Sequence, residues 1–468
     1  MPPAADPPQP SPDFDRHFRH AVWVGYALFA LIACIVHANK AAEDRTSIVR
    51  WRHQLDHLFE GTTIYSKYYF PNPPIFPIMI YPISYLSPVQ TAVVWFGLKA
   101  ALAAACVLAC IRMAWAPTRP LVSTAQLAIV LIALRPILSD LHHGNNNLLI
   151  LSLIVGGLYA WRKGLDVLGG LSLALAICIK ITPALFLPYF AWKRQWRLLM
   201  AATVGMFVFT AVVPSVVLGP MSNYRCLETW WGNMLSPYVE DGVVSKQEVN
   251  QSMVGVLSRV LTEAGEAKYH GYGVQLNEAG LNLAAWSPSA VARLTKGLSV
   301  ALVLALGFLC RTPTARRDDP RLLGEFSLVV LTMLFVSERS WKHHYVTILL
   351  PVAYLACRAA MPSTSRRDRW LLIGAMGLAA ALMATTSSEL GWLIPGVKDG
   401  QRVAKGYKVA QFYGMFLWSG VALYAATAWR VVAERRQGAE RLAIPGPHRA
   451  RVDALAPSHD RGRQNLPG

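Results

Sequence analysis

Long apolar runs separated by short polar or basic stretches set the pattern of this chain. Segments long enough or nearly long enough to span a bilayer lie at 21–38, 91–114, 121–139, 147–161, 165–180, 183–192, 197–218, 291–310, 321–337, 343–361, 370–388 and 408–430. They predict an all-α polytopic membrane protein, a bundle of about twelve transmembrane helices with its polar loops gathered at two ends. Several runs are shorter than the roughly 20 residues a bilayer requires, and 183–192 reads as a broken or partly inserted helix. Pro73–Pro88 carries four prolines besides Pro73 and reads as a re-entrant or interfacial helix pair. If it crosses instead, another weak segment, 183–192 first, must fail to. No internal repeat is visible.

Composition narrows the class. Of 468 residues, 54% are hydrophobic and 15% charged, which excludes a soluble protein of this length. The excess of 45 Lys and Arg over 27 Asp and Glu sits in short clusters between apolar runs and in the C-terminal tail. That placement marks topology and contact with anionic lipid, not nucleic-acid binding. The positive-inside rule assigns Arg16/Arg19, Arg112/Arg119, Arg162/Lys163, Lys193/Arg194/Arg197, the group Arg311 to Arg321, the group Arg358 to Arg369, and Arg430/Arg435/Arg436 to the cytoplasm. The expected location is a bacterial inner membrane crossed many times, with both termini cytoplasmic. Residues 1–20 form a disordered tail without signal-peptide character, 21–430 a transmembrane domain, and 431–468 a basic disordered tail. Six of the seven cysteines fall in or at the ends of apolar runs, so neither a disulfide framework nor a Cys-rich metal site is expected.

The same topology sends 39–72, 140–147, 180–183, 219–289, 337–344 and 387–407 outward, where they form one extracytoplasmic site. In Ser337-Glu338-Arg339-Ser340-Trp341-Lys342-His343-His344 seven polar or ionisable side chains interrupt two apolar runs, and the basic ones can bind an anion and move a proton. Asp44, at the outer end of the first helix, is either a general base for a hydroxyl or an exposed acid. His53 and His57 lie four apart on a surface helix and read as a solvated face, since no third metal ligand accompanies them. Tyr69 and Asn72, with Lys67, sit where an aromatic belt meets a rigid proline turn within the first outer loop, 39–90. His143, Asn145 and Asn147 open an apolar helix whose free amides favour an anion, and Asn147 can cap it. Lys180 ends another apolar run, there either to snorkel or to meet a phosphate. Trp230, Trp231, Asn233, Asn250 and Ser252, in the long outer segment, suit either a sugar or the membrane interface.

Together these clusters resemble glycosyltransferase family 87, the membrane mannosyltransferases of the GT-C superfamily. The resemblance rests on Asp44, Gly61 to Tyr65, Tyr69 to Pro74, Gly144 to Asn147, Lys180 with Pro183, Asn250 to Ser252, and Ser337 to His344. Two positions depart from the family pattern: Asp44 is followed by Arg45, and Asn145 stands where Gln is usual. The resemblance implies a GT-C-like bundle and a polyprenyl-phosphate sugar donor, with hexose, mannose by family expectation, passing to a glycolipid or glycan acceptor. It implies Asp44 as base and inversion at the anomeric carbon, with His343 and His344 in the catalytic group. Tyr69, Asn72, His143, Asn145, Asn147, Lys180, Asn250, Ser252, Arg339, Trp341 and Lys342 would bind substrate, with no metal or cofactor. The competing class is a transporter or flippase of a lipid-linked or anionic solute. Transporters tend to show duplicated halves, and none is visible here.

Overall fold

The computed structural model describes residues 12–115, 121, 123–262, 281–399 and 402–443. Of the tails expected to be disordered at 1–20 and 431–468, residues 12–20 and 431–443 belong to the helices Pro12–Ala42 and Met415–Ala443, since each continues the regular helix of the apolar run beside it; 1–11, 444 onward and 263–280 of the long outer segment lie outside the described residues. The protein is an all-α membrane protein, apart from a short antiparallel hairpin pairing Val397–Asp399 with Arg402–Ala404. Among the described residues, six helices are long and apolar enough to cross a membrane: His20–Ala42, Pro88–Ala114, Ser123–His143, Trp196–Leu218, Pro288–Leu309 and Met415–Arg436. Their outward faces keep large apolar side chains uncovered, Ile32, Val216 and Leu304 among them, as lipid contact requires.

Shorter helices pack among these: Asn147–Arg162, Asp166–Ile179, Phe186–Trp192, Arg321–Val336, Leu349–Ala360 and Arg366–Ala384. The weak segment at 183–192 is a short 3-10 turn, Thr182–Leu185, that runs into the Phe186–Trp192 helix. Ile75–Ile80 and Tyr81–Tyr85 form the helix pair expected of the proline-rich stretch. It is held against the start of the Pro88–Ala114 helix, where Phe76 meets Trp95 and the Thr91 hydroxyl donates to the Ile83 carbonyl at 3.2 Å.

Local chemistry starts several helices in the expected way. Ser87 caps Pro88–Ala114 through a reciprocal pair with Gln90, with Pro88 in the first turn where a missing N–H costs nothing. Ser287 and Ser365 cap theirs through Ala290 and Asp368. Pro214 cannot donate to the Thr210 carbonyl four residues back; the helix widens to a π-turn at Val208–Val212, and Asn223 Nδ2 donates to Thr210 O instead at 3.0 Å. Glycine sets the closest helix packing. A Cβ on Gly170 would lie 2.4 Å from the Leu198 carbonyl oxygen and one on Gly157 3.1 Å from that of Gly169, so three helices touch nearly backbone to backbone.

Basic groups separated in sequence meet at one end of the bundle. Arg162 donates to Met113 O at 2.6 Å and to Asp318 O, and Arg317 pairs with Asp166. Lys193 pairs with Glu325 at 2.6 Å, Arg358 donates to Ala114 O at 3.1 Å, and Arg430 meets Glu434 at 3.0 Å. These contacts staple the helix ends together. The polar clusters at 140–147, 180, 250–252 and 337–344 are joined to one another at the other end.

Candidate active site

The site is built around the turn between the Ser123–His143 and Asn147–Arg162 helices. Gly144 takes φ +67°, a left-handed conformation open to glycine, and a Cβ there would sit 3.2 Å from the backbone nitrogen and side chain of Ile48. That contact seats the loop bearing Asp44 beside the turn. Trp95 Nε1 donates to the Gly144 carbonyl at 3.0 Å and fixes it from the third side.

Asp140, fully buried, faces the next helix. Its Oδ1 accepts from the backbone N–H of Asn147 at 3.2 Å and from Asn147 Nδ2 at 3.0 Å; its Oδ2 accepts from the Leu148 N–H at 3.3 Å. Helix-start amides were expected to favour an anion, and the anion they find is a carboxylate of this chain. Asn147 is therefore not the cap: it lies in the first turn, and Asp140 caps from the preceding helix. Lys99 completes the pair, its Nζ 3.1 Å from Asp140 Oδ2, with both groups at 0% exposure.

From there the chain of contacts runs outward. Asn147 Oδ1 accepts from Lys180 Nζ at 2.8 Å. Asn147, Lys180 and His344 line one cavity with Ser337, Ser340 and Thr347. Its volume is about 30 Å³, space for water-sized groups such as a phosphate oxygen. Lys180 stands just past the end of its helix, where burial pushes its ammonium down to about 7, with Asp140 opposing that shift.

The two adjacent histidines have different surroundings. The Trp341 N–H donates to His344 Nδ1 at 3.2 Å and the two rings lie parallel, so neutral His344 carries its proton on Nε2. His343 is buried, and its Nε2 lies 3.2 Å from Asn145 Nδ2. Asn145 Oδ1 already accepts from the Asn146 N–H at 2.8 Å, so the amide donates and His343 is protonated at Nδ1. That Nδ1 and Trp341 Nε1 are buried without a partner, two N–H donors on rings 5.4 Å apart. Such orphaned donors are costly in a finished protein and normal where a ligand arrives. His143, exposed, stands edge-on to His343 at 5.0 Å.

Lys342 is half-buried, its ammonium lowered to about 8 by burial and then by Arg135. Arg339 is exposed and stacks over Tyr238 at 4.2 Å. Asn72 is buried, donating to the Ile179 carbonyl at 2.9 Å next to Lys180 while its Oδ1 stays without a partner. Tyr69 is exposed with φ +52°, and Asp44 exposed with φ +53°, both uncommon for residues other than glycine. Asp44 reaches His53 Nε2 at 3.4 Å, so His53 faces the candidate base, while His57 lies between Glu60 at 2.8 Å and the Tyr68 hydroxyl at 2.9 Å.

Asn250 and Ser252 support the 337–344 loop from behind. Asn250 Oδ1 accepts from the Ser340 N–H at 3.0 Å, its Nδ2 donates to the Glu338 carbonyl at 2.9 Å, and Ser252 caps the Met253–Leu261 helix. Arg259, buried, spends its guanidinium on the carbonyls of Gln247, Asn250, Gln411 and Phe412. Trp230 Nε1 donates to Pro71 O and Asn233 Nδ2 to Tyr65 O, both at 3.1 Å, tying the long outer segment to the first outer loop. The sequence pattern left Lys99 and Arg259 unmarked and showed Asp140 only as the start of an outer loop. Lys99 had left a signal, a lysine inside an apolar run. Among the described residues no group of three or more His, Cys, Asp or Glu side chains is placed to hold a metal.

Fold and site define a polytopic all-α membrane protein with cationic and N–H donor groups buried at one end of its bundle. The model of glycosyltransferase family 87 matches residues 70–338, and the chain belongs to that family. The matched stretch contains Asn72 through Lys180 and Asn250; Asp44, His343 and His344 lie beyond its limits. Two similar proteins are polyprenol-phosphate-mannose-dependent alpha-(1-2)-phosphatidylinositol mannoside mannosyltransferases. One, from Mycolicibacterium smegmatis, is 27% identical over 270 residues, 57% of this chain and 52% of that protein. The other, from Mycobacterium tuberculosis, is 25% identical over 292 residues, 60% of each. The chain thus spans about half to three-fifths of the length of these relatives. No solved structure matches.

Proposed function

We propose that the protein is a membrane glycosyltransferase that moves a hexose, mannose by analogy with the two relatives, from a polyprenyl-phosphate sugar to a glycolipid or glycan acceptor. The observation that carries this reading, beside family membership, is the cavity shared by Lys180, Asn147 and His344. It offers an ammonium and a neutral histidine N–H where a lipid-borne phosphate would lie, flanked by the orphaned donors of Trp341 and His343. The lipid tail rests between helices, and the sugar projects past the small cavity toward the Asp44 loop.

In the reaction the acceptor hydroxyl oxygen attacks the anomeric carbon and gives its proton to Asp44. The bond from that carbon to the phosphate oxygen breaks, and the electron pair leaves on polyprenyl phosphate, whose growing charge meets Lys180, Lys342 and Arg339. Attack opposite the leaving group inverts the anomeric centre. By the positive-inside rule the basic clusters at the far end would lie in the cytoplasm, and with twelve crossings the site would face outward. Purified protein given a panel of radiolabelled polyprenyl-phosphate sugars and membrane glycolipid tests this. Transfer lost in Asp44→Asn supports the reading, and uptake of donor into proteoliposomes without transfer overturns it in favour of a transporter.

A further inference from the structure

We infer that Asp140, its charge balanced by Lys99, is the positioning residue that aims the Lys180 ammonium at the donor phosphate. The inference rests on the proposed role of Lys180 as the phosphate-binding group. Asp140 cannot touch substrate itself: its two oxygens face Lys99 and the amides of Asn147 and Leu148, and it is fully buried. Its reach is through Asn147. With Asn147 Nδ2 donating to the carboxylate at 3.0 Å, the amide oxygen must point the other way, where it accepts from Lys180 at 2.8 Å. Flipping the amide would set its NH2 against the ammonium and its carbonyl against the carboxylate, so one orientation is selected.

Lys99 explains why a charge is used at this depth. A helix cap alone is served by a neutral Asn or Ser, with no buried lysine. Lys99 donates to Asp140 O at 2.6 Å, to Oδ2 at 3.1 Å and to Asn145 O at 2.9 Å, which uses all three of its N–H groups inside the protein. Lys99 and Asp140 cancel, so Lys180 is left as the net positive charge of this chain of contacts. The other titratable groups facing Lys180 are His344 on the cavity wall and His343 behind it, neither of which supplies a negative charge. Asp140 is thus the carboxylate that favours a protonated Lys180.

Binding of radiolabelled decaprenyl phosphate to the full-length protein in nanodiscs, at pH 6 and at pH 8.5, tests the inference with Asp140→Asn and the double variant Lys99→Met/Asp140→Asn. The double variant leaves no orphaned buried charge and keeps an acceptor for the helix start, so it carries the test where the single variant fails to fold. The expected result is binding weakened about tenfold or more. In Asp140→Asn, where Lys99 keeps its charge, the ratio to wild type should grow with pH, because without the carboxylate Lys180 loses its proton earlier; in the double variant, which removes both charges, the loss should change little with pH, and the ligand's own ionisation cancels in either ratio. A folded double variant that binds within about twofold of wild type at both pH values overturns the inference and leaves the proposed function standing. A wild-type protein that does not bind the probe overturns both.

Discussion

Asn145 and His343, 198 positions apart in the chain, meet through a 3.2 Å hydrogen bond from the amide Nδ2 to the ring Nε2. Because the amide oxygen is committed to Asn146, the contact fixes the tautomer of His343 and leaves its Nδ1–H turned to a place without a protein partner. Asn145→Asp would replace a donor with an acceptor and pull the proton to Nε2. Sugar transfer by that variant should fall about tenfold to a hundredfold at neutral pH, while Asn145→Gln, which keeps the donor, should retain more activity than Asn145→Asp. Initial rates at saturating donor check this.

Asp44 is exposed, with 64% of its side chain accessible, so its removal should leave stability untouched. Asp44→Asn should lower the transfer rate by about 10² to 10⁴, the usual contribution of a general base, with the melting temperature unchanged. Equal losses of rate and melting temperature would refute its role as base.

Lys180 gives a pH dependence with a defined sign. Burial lowers its pKa to about 7, so donor affinity, which uses the ammonium, should decline as pH rises through about 7. Stability of the empty protein runs the other way: the unfolded lysine binds the proton more tightly, so stability rises with pH between the folded and unfolded pKa values. Lys180→Arg should carry donor binding to higher pH, because a guanidinium keeps its charge. Donor KM measured across that range decides.

A Cβ on Gly255 would lie 2.3 Å from Asn250 Nδ2, the group that donates to the Ser245 and Glu338 carbonyls. Gly255→Ala should displace Asn250, loosen the 337–344 loop and cost about 1–3 kcal/mol of stability together with activity. Thermal unfolding and transfer rate should fall in parallel.

Far from the site, Glu325 holds Lys193 at 2.6 Å and accepts from the Tyr189 hydroxyl at 2.9 Å and the Thr312 N–H at 2.6 Å. Glu325→Gln leaves a buried ammonium unpaired and should cost about 3–5 kcal/mol. Specific activity of the surviving folded fraction should remain that of wild type, which a rate normalised to folded protein checks.

His143, Asn145, Asn147, Lys180, His343 and His344 are polar residues at the ends of apolar runs, and a helix end is readable from hydropathy alone. The structure joins all six in one set of contacts because their helices end at the same end of the bundle. Asn250 and Ser252 were equally visible as polar positions, yet they brace the 337–344 loop instead of lining the cavity, a distinction that depends on which face of the loop they meet. Lys99 and Asp140 are the reverse case. A lysine in an apolar run announces a buried partner, but six outer loops are candidates in the sequence, and pairing with Asp140 is fixed by how two helices pack.

The sequence by itself determined the class of protein, the rough positions of its helices and the segregation of basic from other polar loops. Those follow from the cost of placing polar groups in hydrocarbon, a cost each segment meets on its own. Tertiary structure alone decided that Asp140 takes the helix start, that Asn147 turns its oxygen to Lys180, and that His343 and His344 carry their protons on different nitrogens. Each depends on hydrogen-bond geometry between residues distant in the chain, where an ångström or the sense of an amide changes the chemistry.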